Sequence, residues 1–254
     1  MGRFDGRVAV ITGSARGMGK QMALRFAREG ADIVLNDLRE EQLKAAAQEI
    51  KALGRKAVYV VADISTADGA KKLIDAAVNS FGKVDILVNN AGIVARGTLL
   101  ETTEEEWNSV LAVDLKGVFL CTQAAAKHMI EKKYGKIINI ASVAGIGSIA
   151  GPLAYAAAKA GVVQMTKTCA RELGRYNINV NCIAPGRIIT DMTYIGRTPE
   201  EVEKSIEAAK KASALKRAGS PDDVANVALF LASDESSFVS GQVIPCDGGR
   251  MDRM

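Results

Sequence analysis

Seven short apolar runs rich in β-branched residues recur along this 254-residue chain: Arg7–Thr12, Asp32–Asn36, Ala57–Ala62, Val84–Asn89, Lys136–Ala141, Asn179–Ala184 and Gln242–Cys246. They are nearly continuous hydrophobic runs rather than alternating ones, as in a sheet buried on both faces. Between them lie segments of helical spacing, such as Met18, Met22, Ala23, Phe26 and Ala27 on one face, with Gly30 at a C-cap position. Further helical stretches cover Glu40–Leu53, Thr66–Phe81, about Thr103 to Glu131 and Pro152–Arg175, and two more helical segments, Pro221–Ala232 among them, precede the last strand. Strand–helix alternation with short connections predicts a doubly wound parallel α/β sheet. No linker, repeat or low-complexity tract divides the chain. Residues 1–254 are expected to form one domain, with an irregular excursion near Ile188–Ala212.

Composition removes several kinds of chemistry. The chain has one histidine, His128, so a Ser-His-Asp hydrolase would rest on it alone, and a multi-histidine metal site is impossible. No metal is expected. Lys and Arg total 33 against 29 Asp and Glu, a net +4, and the basic residues are scattered, which argues against a nucleic-acid partner. Cys121, Cys169, Cys182 and Cys246 form no CxxC pair and read as buried reduced thiols. The opening MGRFDGRVAV has charges where a signal peptide needs an apolar segment, so a cytoplasmic address is expected. The uncharged stretch between Lys136 and Lys159 has the length of a membrane span. Gly145, Gly147, Gly151 and Pro152 instead divide it into strand, loop and new helix, so no membrane partner is expected.

Thr12-Gly13-Ser14-Ala15-Arg16-Gly17-Met18-Gly19 joins strand one to helix one. Glycines here permit a tight turn and close approach of a pyrophosphate, and the helix N-terminus offers free N–H groups to phosphates. Alone they mark only a turn; directly after the first strand of an alternating chain they point to a nucleotide. Strand two ends at Asn36-Asp37, eighteen residues beyond Gly19. A carboxylate there can bind the adenosine ribose hydroxyls and repels a 2′-phosphate, which favours NAD. Arg16 and Arg39 could each pair with a 2′-phosphate and keep NADP open.

Ser142 follows the fifth strand, and Tyr155 and Lys159 stand four apart on the next helix, hence on one face. A phenol titrates near 10, and bringing one to about 7 takes about 4 kcal/mol. A cation about 4 Å away at an effective dielectric of about 20 supplies that much. A lysine on the same face can therefore equip a tyrosine for acid–base work near neutrality.

Five motifs occur in order: TGxxxGxG at Thr12–Gly19, Asn89-Asn90-Ala91-Gly92, Ser142, Tyr155 with Lys159, and Pro185-Gly186 with Thr190. Together, over Arg3 to Gly249, they resemble the short-chain dehydrogenase/reductase family in its compact single-domain branch, near 3-oxoacyl-(acyl-carrier-protein) reductase-like and gluconate 5-dehydrogenase-like members. The resemblance implies a Rossmann fold and hydride transfer between a nicotinamide cofactor and a secondary alcohol or ketone. It implies that Tyr155 moves the proton, that Lys159 tunes it and holds the nicotinamide ribose, and that Ser142 polarises the reacting oxygen. The cofactor would lie against Gly13, Ser14, Arg16, Gly17, Met18, Gly19 and Asp37, and against Asp63 with Ile64 at the adenine. Asn90, Ala91 and Gly92 would line it, and Pro185, Gly186, Ile188 and Thr190 would grip the nicotinamide. Asp114 departs from the family's usual asparagine. The backbone carbonyl of that asparagine is thought to hold a water that relays protons to the lysine, a role aspartate would keep, so Asp114 is expected to be tolerated. Its carboxylate would add a charge near Lys159.

Substrate specificity is expected in a flap at about 188–214 and in an apolar pocket from Ile93, Val94, Ala144, Ile146, Ile149 and Met192. Arg96, Lys127, Lys132, Arg171 and Arg175 could meet an acyl carrier or a phosphate, or be solvated surface. A 3-oxoacyl thioester, a sugar acid and a cyclic ketone all stay open as the small-molecule partner. The family likeness implies a homotetramer through Pro221–Ala232 and the last strand. The competing reading is a catalytically silent nucleotide sensor on the same fold; intact Ser142, Tyr155 and Lys159 favour the enzyme.

Overall fold

The computed structural model describes residues 2–95, 97–147, 152–190, 193–194 and 198–250. Among them, seven parallel strands form one sheet: β1 (Val8–Thr12), β2 (Asp32–Asp37), β3 (Ala57–Val61), β4 (Ile86–Asn89), β5 (Gly135–Ile140), β6 (Ile178–Pro185) and β7 (Val243–Cys246). Their order is β3-β2-β1-β4-β5-β6-β7. The chain winds outward from β1 to β3, then returns to lay β4 on the other side of β1. Open α/β sheets bind ligands beyond the carboxyl ends of the strands at such a reversal, here β1 and β4.

Successive side chains of β1 enter opposite cores. Ala9 and Ile11 pack with α1 (Gly17–Arg28), α2 (Glu40–Ala52) and α8 (Pro221–Ala232). Val8 and Val10 pack with α3 (Ala67–Phe81), α5 (Gly117–Lys132) and the far end of α6 (Leu153–Leu173). Both faces are covered, which is why the strands are largely apolar on both sides, and the polar residues they do hold, such as Lys136, Asn139 and Asn179, are hydrogen-bonded.

One long helix from Glu104 to Lys132 is apolar enough to cross a membrane by length and composition. In the fold it is a packing element: Val118, Cys121, Ala125 and Met129 are buried against the sheet and its neighbours. It is α4 (Glu104–Leu111), a π turn over Ala112–Lys116, and α5. The Gly117 N–H bonds the Ala112 carbonyl, five residues back. The stretch from Lys136 resolves into β5, a short 3₁₀ turn at Val143–Gly145 and the start of α6.

The excursion expected to be irregular contains a helix, α7 (Pro199–Ala212). Its start is locally encoded. Thr198 Oγ1 accepts from the Glu201 N–H, Glu201 accepts in return from the Thr198 N–H, and Pro199 occupies the first turn.

Candidate active site

The glycine loop is shaped by close approaches. Gly13 has φ +62°, and a Cβ there would meet the Ala91 Cα at 2.8 Å; one on Gly19 would collide with the Gly13 carbonyl. A Cβ on Gly17 would lie 3.7 Å from the Thr190 Cβ, so the loop after β6 returns over the start of α1. Arg16 precedes α1 with extended backbone and Met18 packs on the core. Ser14 turns its hydroxyl inward, to the Ile11 carbonyl at 2.9 Å and from the Asn36 N–H at 2.9 Å. Thr12 is a joint that sequence reasoning passed over: its Oγ1 accepts from the N–H groups of Asn90 (2.9 Å) and Ala91 (3.0 Å). Asn90 Nδ2 donates to the Thr12 and Gly13 carbonyls, while its buried Oδ1 has no partner among the described residues.

Asp37 ends β2 nearly buried. It accepts from the N–H groups of Leu38 (2.8 Å) and Ala15 (3.3 Å) and pairs with the Arg39 guanidinium at 3.0 Å. Asp63 is exposed beyond β3 and caps the next turn through the Ser65 N–H at 2.9 Å; Ile64 beside it is buried.

Ser142 follows β5 and its Oγ accepts from the Ala144 N–H at 3.2 Å. Tyr155 stands half-buried on the first turn of α6 with Lys159 one turn on, the ammonium 5.5 Å from the ring centre. Lys159 is buried, and its Nζ donates to the Ile140 carbonyl at 3.0 Å. The π turn aims Asp114 at the same nitrogen. Asp114 Oδ1 accepts from the Ile93 N–H at 2.7 Å, and Oδ2, with no other polar partner among the described residues, lies 3.1 Å from Nζ. Gly92 lies alongside both groups.

This arrangement sets the charges. Burial pushes the Asp114 carboxyl above the usual aspartate range, against the opposing pull of Lys159 and the Ile93 N–H. Burial by itself lowers the Lys159 ammonium, but Asp114, Tyr155 and Cys182 outweigh it and hold it above the ordinary lysine value. Lys159 is therefore a cation at neutral pH.

A family model described as enoyl-(acyl carrier protein) reductase matches residues 13–250. The chain is 48% identical over 247 residues to (2S)-[(R)-hydroxy(phenyl)methyl]succinyl-CoA dehydrogenase subunit BbsD of Thauera aromatica, covering 97% of each. It is 45% identical over 247 residues to the 3-oxoacyl-[acyl-carrier-protein] reductase FabG of Thermotoga maritima, covering 97% of this chain and 98% of that one. A short-chain type dehydrogenase/reductase from Mycobacterium marinum superposes with a TM-score of 0.90 at 33% identity, over 98% of this chain and 96% of that one. This protein belongs to the short-chain dehydrogenase/reductase family. Membership makes it an oxidoreductase that works with a nicotinamide cofactor.

Ser142 and Tyr155 open into a single cavity of about 670 Å³. Val94 and Ala144 line it; Ile93 and Ile146 do not, and Ile149 and Met192 lie outside the described residues. Gly186 and Ile188 form its floor, with the Gly186 N–H on the Cys246 carbonyl and Ile188 bridged to Gly219. Pro185 ends β6, and the Thr190 N–H donates to Thr193 Oγ1 at 3.1 Å. Lys127, Lys132, Arg171 and Arg175 are exposed and away from this cavity, and Arg96 lies outside the described residues. The basic groups that do line it, Arg187, Arg217 and Arg250, went unnoticed in the sequence because they come from three separate loops.

Proposed function

We propose that this protein oxidises a secondary alcohol, or reduces the matching ketone, with NAD(H), Tyr155 moving the proton and Ser142 holding the reacting oxygen. The observation that carries this reading is Lys159: buried, fixed by Asp114 and Ile140, and one helical turn from a tyrosine that shares a cavity with Ser142.

The residues present fit a nicotinamide dinucleotide. The close passage of Gly13 by Ala91, the unpartnered acceptor on Asn90 and the carboxylate at the end of β2 suit a ligand with both phosphates and hydroxyls. Residues 13–19, with Asn90 to Gly92, would hold its pyrophosphate side, and Asp37 the adenosine ribose. Asp63 and Ile64 would flank the adenine, and Pro185, Gly186, Ile188 and Thr190 the nicotinamide. A bound nicotinamide supplies or takes up the hydride. In alcohol oxidation the Tyr155 phenolate accepts the hydroxyl proton as the carbinol C–H leaves with its electron pair; reduction returns the same proton. The Lys159 cation stands one helical turn from Tyr155, 5.5 Å from its ring centre, and the Ser142 hydroxyl donates to the substrate oxygen.

NAD is the preferred form in this reading, because Asp37 meets the ribose position with a carboxylate and the guanidinium of Arg39 is engaged with it. The experiment is nicotinamide absorbance over a panel of secondary alcohols and ketones with both cofactors. Turnover with NAD that falls about a thousandfold or more in Tyr155→Phe supports the mechanism, and equal turnover rejects it.

The chain is further proposed to be a cytoplasmic homotetramer with a substrate flap that includes α7. Edge strand β7 is half-exposed, and Phe230 and Phe238 beside it present 39% and 103% of their surface. A monomeric mass by light scattering at micromolar concentration would exclude the tetramer.

A further inference from the structure

Four separate pieces of chain meet around one buried ion pair. Asp114, in the middle of the π turn, is 0% exposed. Its Oδ1 accepts from the Ile93 N–H at 2.7 Å, on the loop after β4. Its Oδ2 lies 3.1 Å from Lys159 Nζ on α6, and that Nζ also donates to the Ile140 carbonyl at the end of β5. Gly92 passes so close that a Cβ there would stand 2.8 Å from Oδ2 and 3.3 Å from Nζ.

The two groups that address the Asp114 side chain are both donors. A carboxylate offers an acceptor to each of them. An amide of the same shape has one oxygen, and its NH2 would face the second donor. Asparagine at this position could therefore serve the loop or the lysine, but not both. A buried ammonium loses more without its acceptor than a neutral N–H does, so an amide oxygen would stay with Lys159 and the loop would be released.

The loop carries part of the cavity wall. Val94, next after Ile93, lines the cavity into which Ser142 and Tyr155 open. On the other side of the carboxylate, Lys159 is one helical turn from Tyr155, and the Ile140 carbonyl that it reaches is two residues before Ser142.

Resting on the dehydrogenase reading above, we propose that Asp114 is a positioning residue with two duties. One carboxylate oxygen holds the Val94 wall of the substrate cavity and the other holds Lys159, so a single side chain sets the wall and the proton-transfer pair relative to each other.

The test is Asp114→Asn, which keeps the side chain's shape, read at both ends of the brace. Ile93 is 40% exposed, and the bond to Asp114 is what shields its amide. Hydrogen exchange at that amide should quicken about tenfold or more in the variant. As the wall loosens, KM for a secondary alcohol oxidised with NAD should rise about threefold or more. The rising limb of the kcat/KM profile should move to lower pH, because one negative charge is lost beside Lys159. The groups that face this lysine are Asp114 from the π turn, Tyr155 from its own helix and Cys182 from β6. A merely structural aspartate would lower stability and leave the profile where it was.

Changes at both ends support the proposal. Faster Ile93 exchange with an unmoved profile overturns it, and so does a moved profile with Ile93 still protected. Faster Ile93 exchange in the variant of a protein whose wild type turns over no alcohol or ketone would instead sink the dehydrogenase reading and leave the loop contact standing.

Discussion

Strand β5 carries a buried lysine at its start and receives another at its end, and the two are treated in opposite ways. Lys136 and Lys159 are each 3% exposed. Lys136, the second residue of β5, gives its ammonium to the Asn179 side-chain oxygen at 2.8 Å, a neutral acceptor. Burial lowers its pKa below the ordinary lysine value, with Asp234 opposing and Arg7 assisting. Lys159 reaches the last carbonyl of the same strand, at Ile140, but has a carboxylate 3.1 Å away and is raised instead. Equal burial therefore does not decide the fate of a cation; the charge of its partner does. The start of the strand has a lysine that serves packing and a local network. The end has one whose charge is secured, as the proposed chemistry requires.

The strongest way to break this comparison is to remove the carboxylate altogether. Asp114→Leu leaves the Lys159 cation buried without its partner and should cost about 3–5 kcal/mol in denaturant unfolding, together with most of the activity. Asp114→Asn is gentler, because the amide imitates the Asn179–Lys136 arrangement. With one negative charge fewer near the proton-transfer site, the rising limb of the kcat/KM profile for alcohol oxidation should move to lower pH by up to about one unit. Turnover should change less than about a hundredfold. The groups facing Lys159 are Asp114, Tyr155 and Cys182, so an unmoved profile would mean that the Asp114 charge is not felt.

The smallest effect is expected at the other end. A lysine depressed in the folded state binds fewer protons than in the unfolded state, so stability rises as pH climbs from the folded value toward about 10.5. Lys136→Met should remove that rise and change stability near neutrality by about 1 kcal/mol or less. Melting temperatures from pH 7 to 10 would read it. A wild-type advantage that shrinks as pH rises would contradict the depressed value.

Much of the site is legible in the chain because it is local. The glycines of 13–19 sit within one turn, and Tyr155 and Lys159 within another, so spacing alone sets them on a shared face. The strands are legible because a sheet buried on both sides asks for largely apolar residues on both. What escapes reading is either distant or a backbone choice. From sequence, Asp114 is expected to act through its backbone carbonyl and to add a charge near Lys159; the direct contact at 3.1 Å, made from a π turn forty-five positions earlier, is not legible there. The buried ladder Asn89–Asn139–Thr166, with bonds of 2.8 and 3.0 Å, ties β4, β5 and α6 behind the site and has no local signature at all. Two helical segments are expected between the sixth and last strands, but the first, α7, is given no bounds and overlaps the excursion near Ile188–Ala212, although Thr198, Pro199 and Glu201 state its beginning.

The π turn at Ala112–Lys116 makes the long helix a two-part instrument tuned by angle. An α-helix advances about 100° per residue, so one surplus residue rotates α5 by about that much against α4. Each part then answers to its own neighbours: Val110 to Ala154 and Ala158 of α6, and Cys121 and Ala125 to the sheet and α3. Loss of a single residue from this turn would shorten the helix by about 1.5 Å and, more seriously, swing Asp114 or everything beyond it to a new bearing. In this stretch the number of residues matters through torsion more than through span.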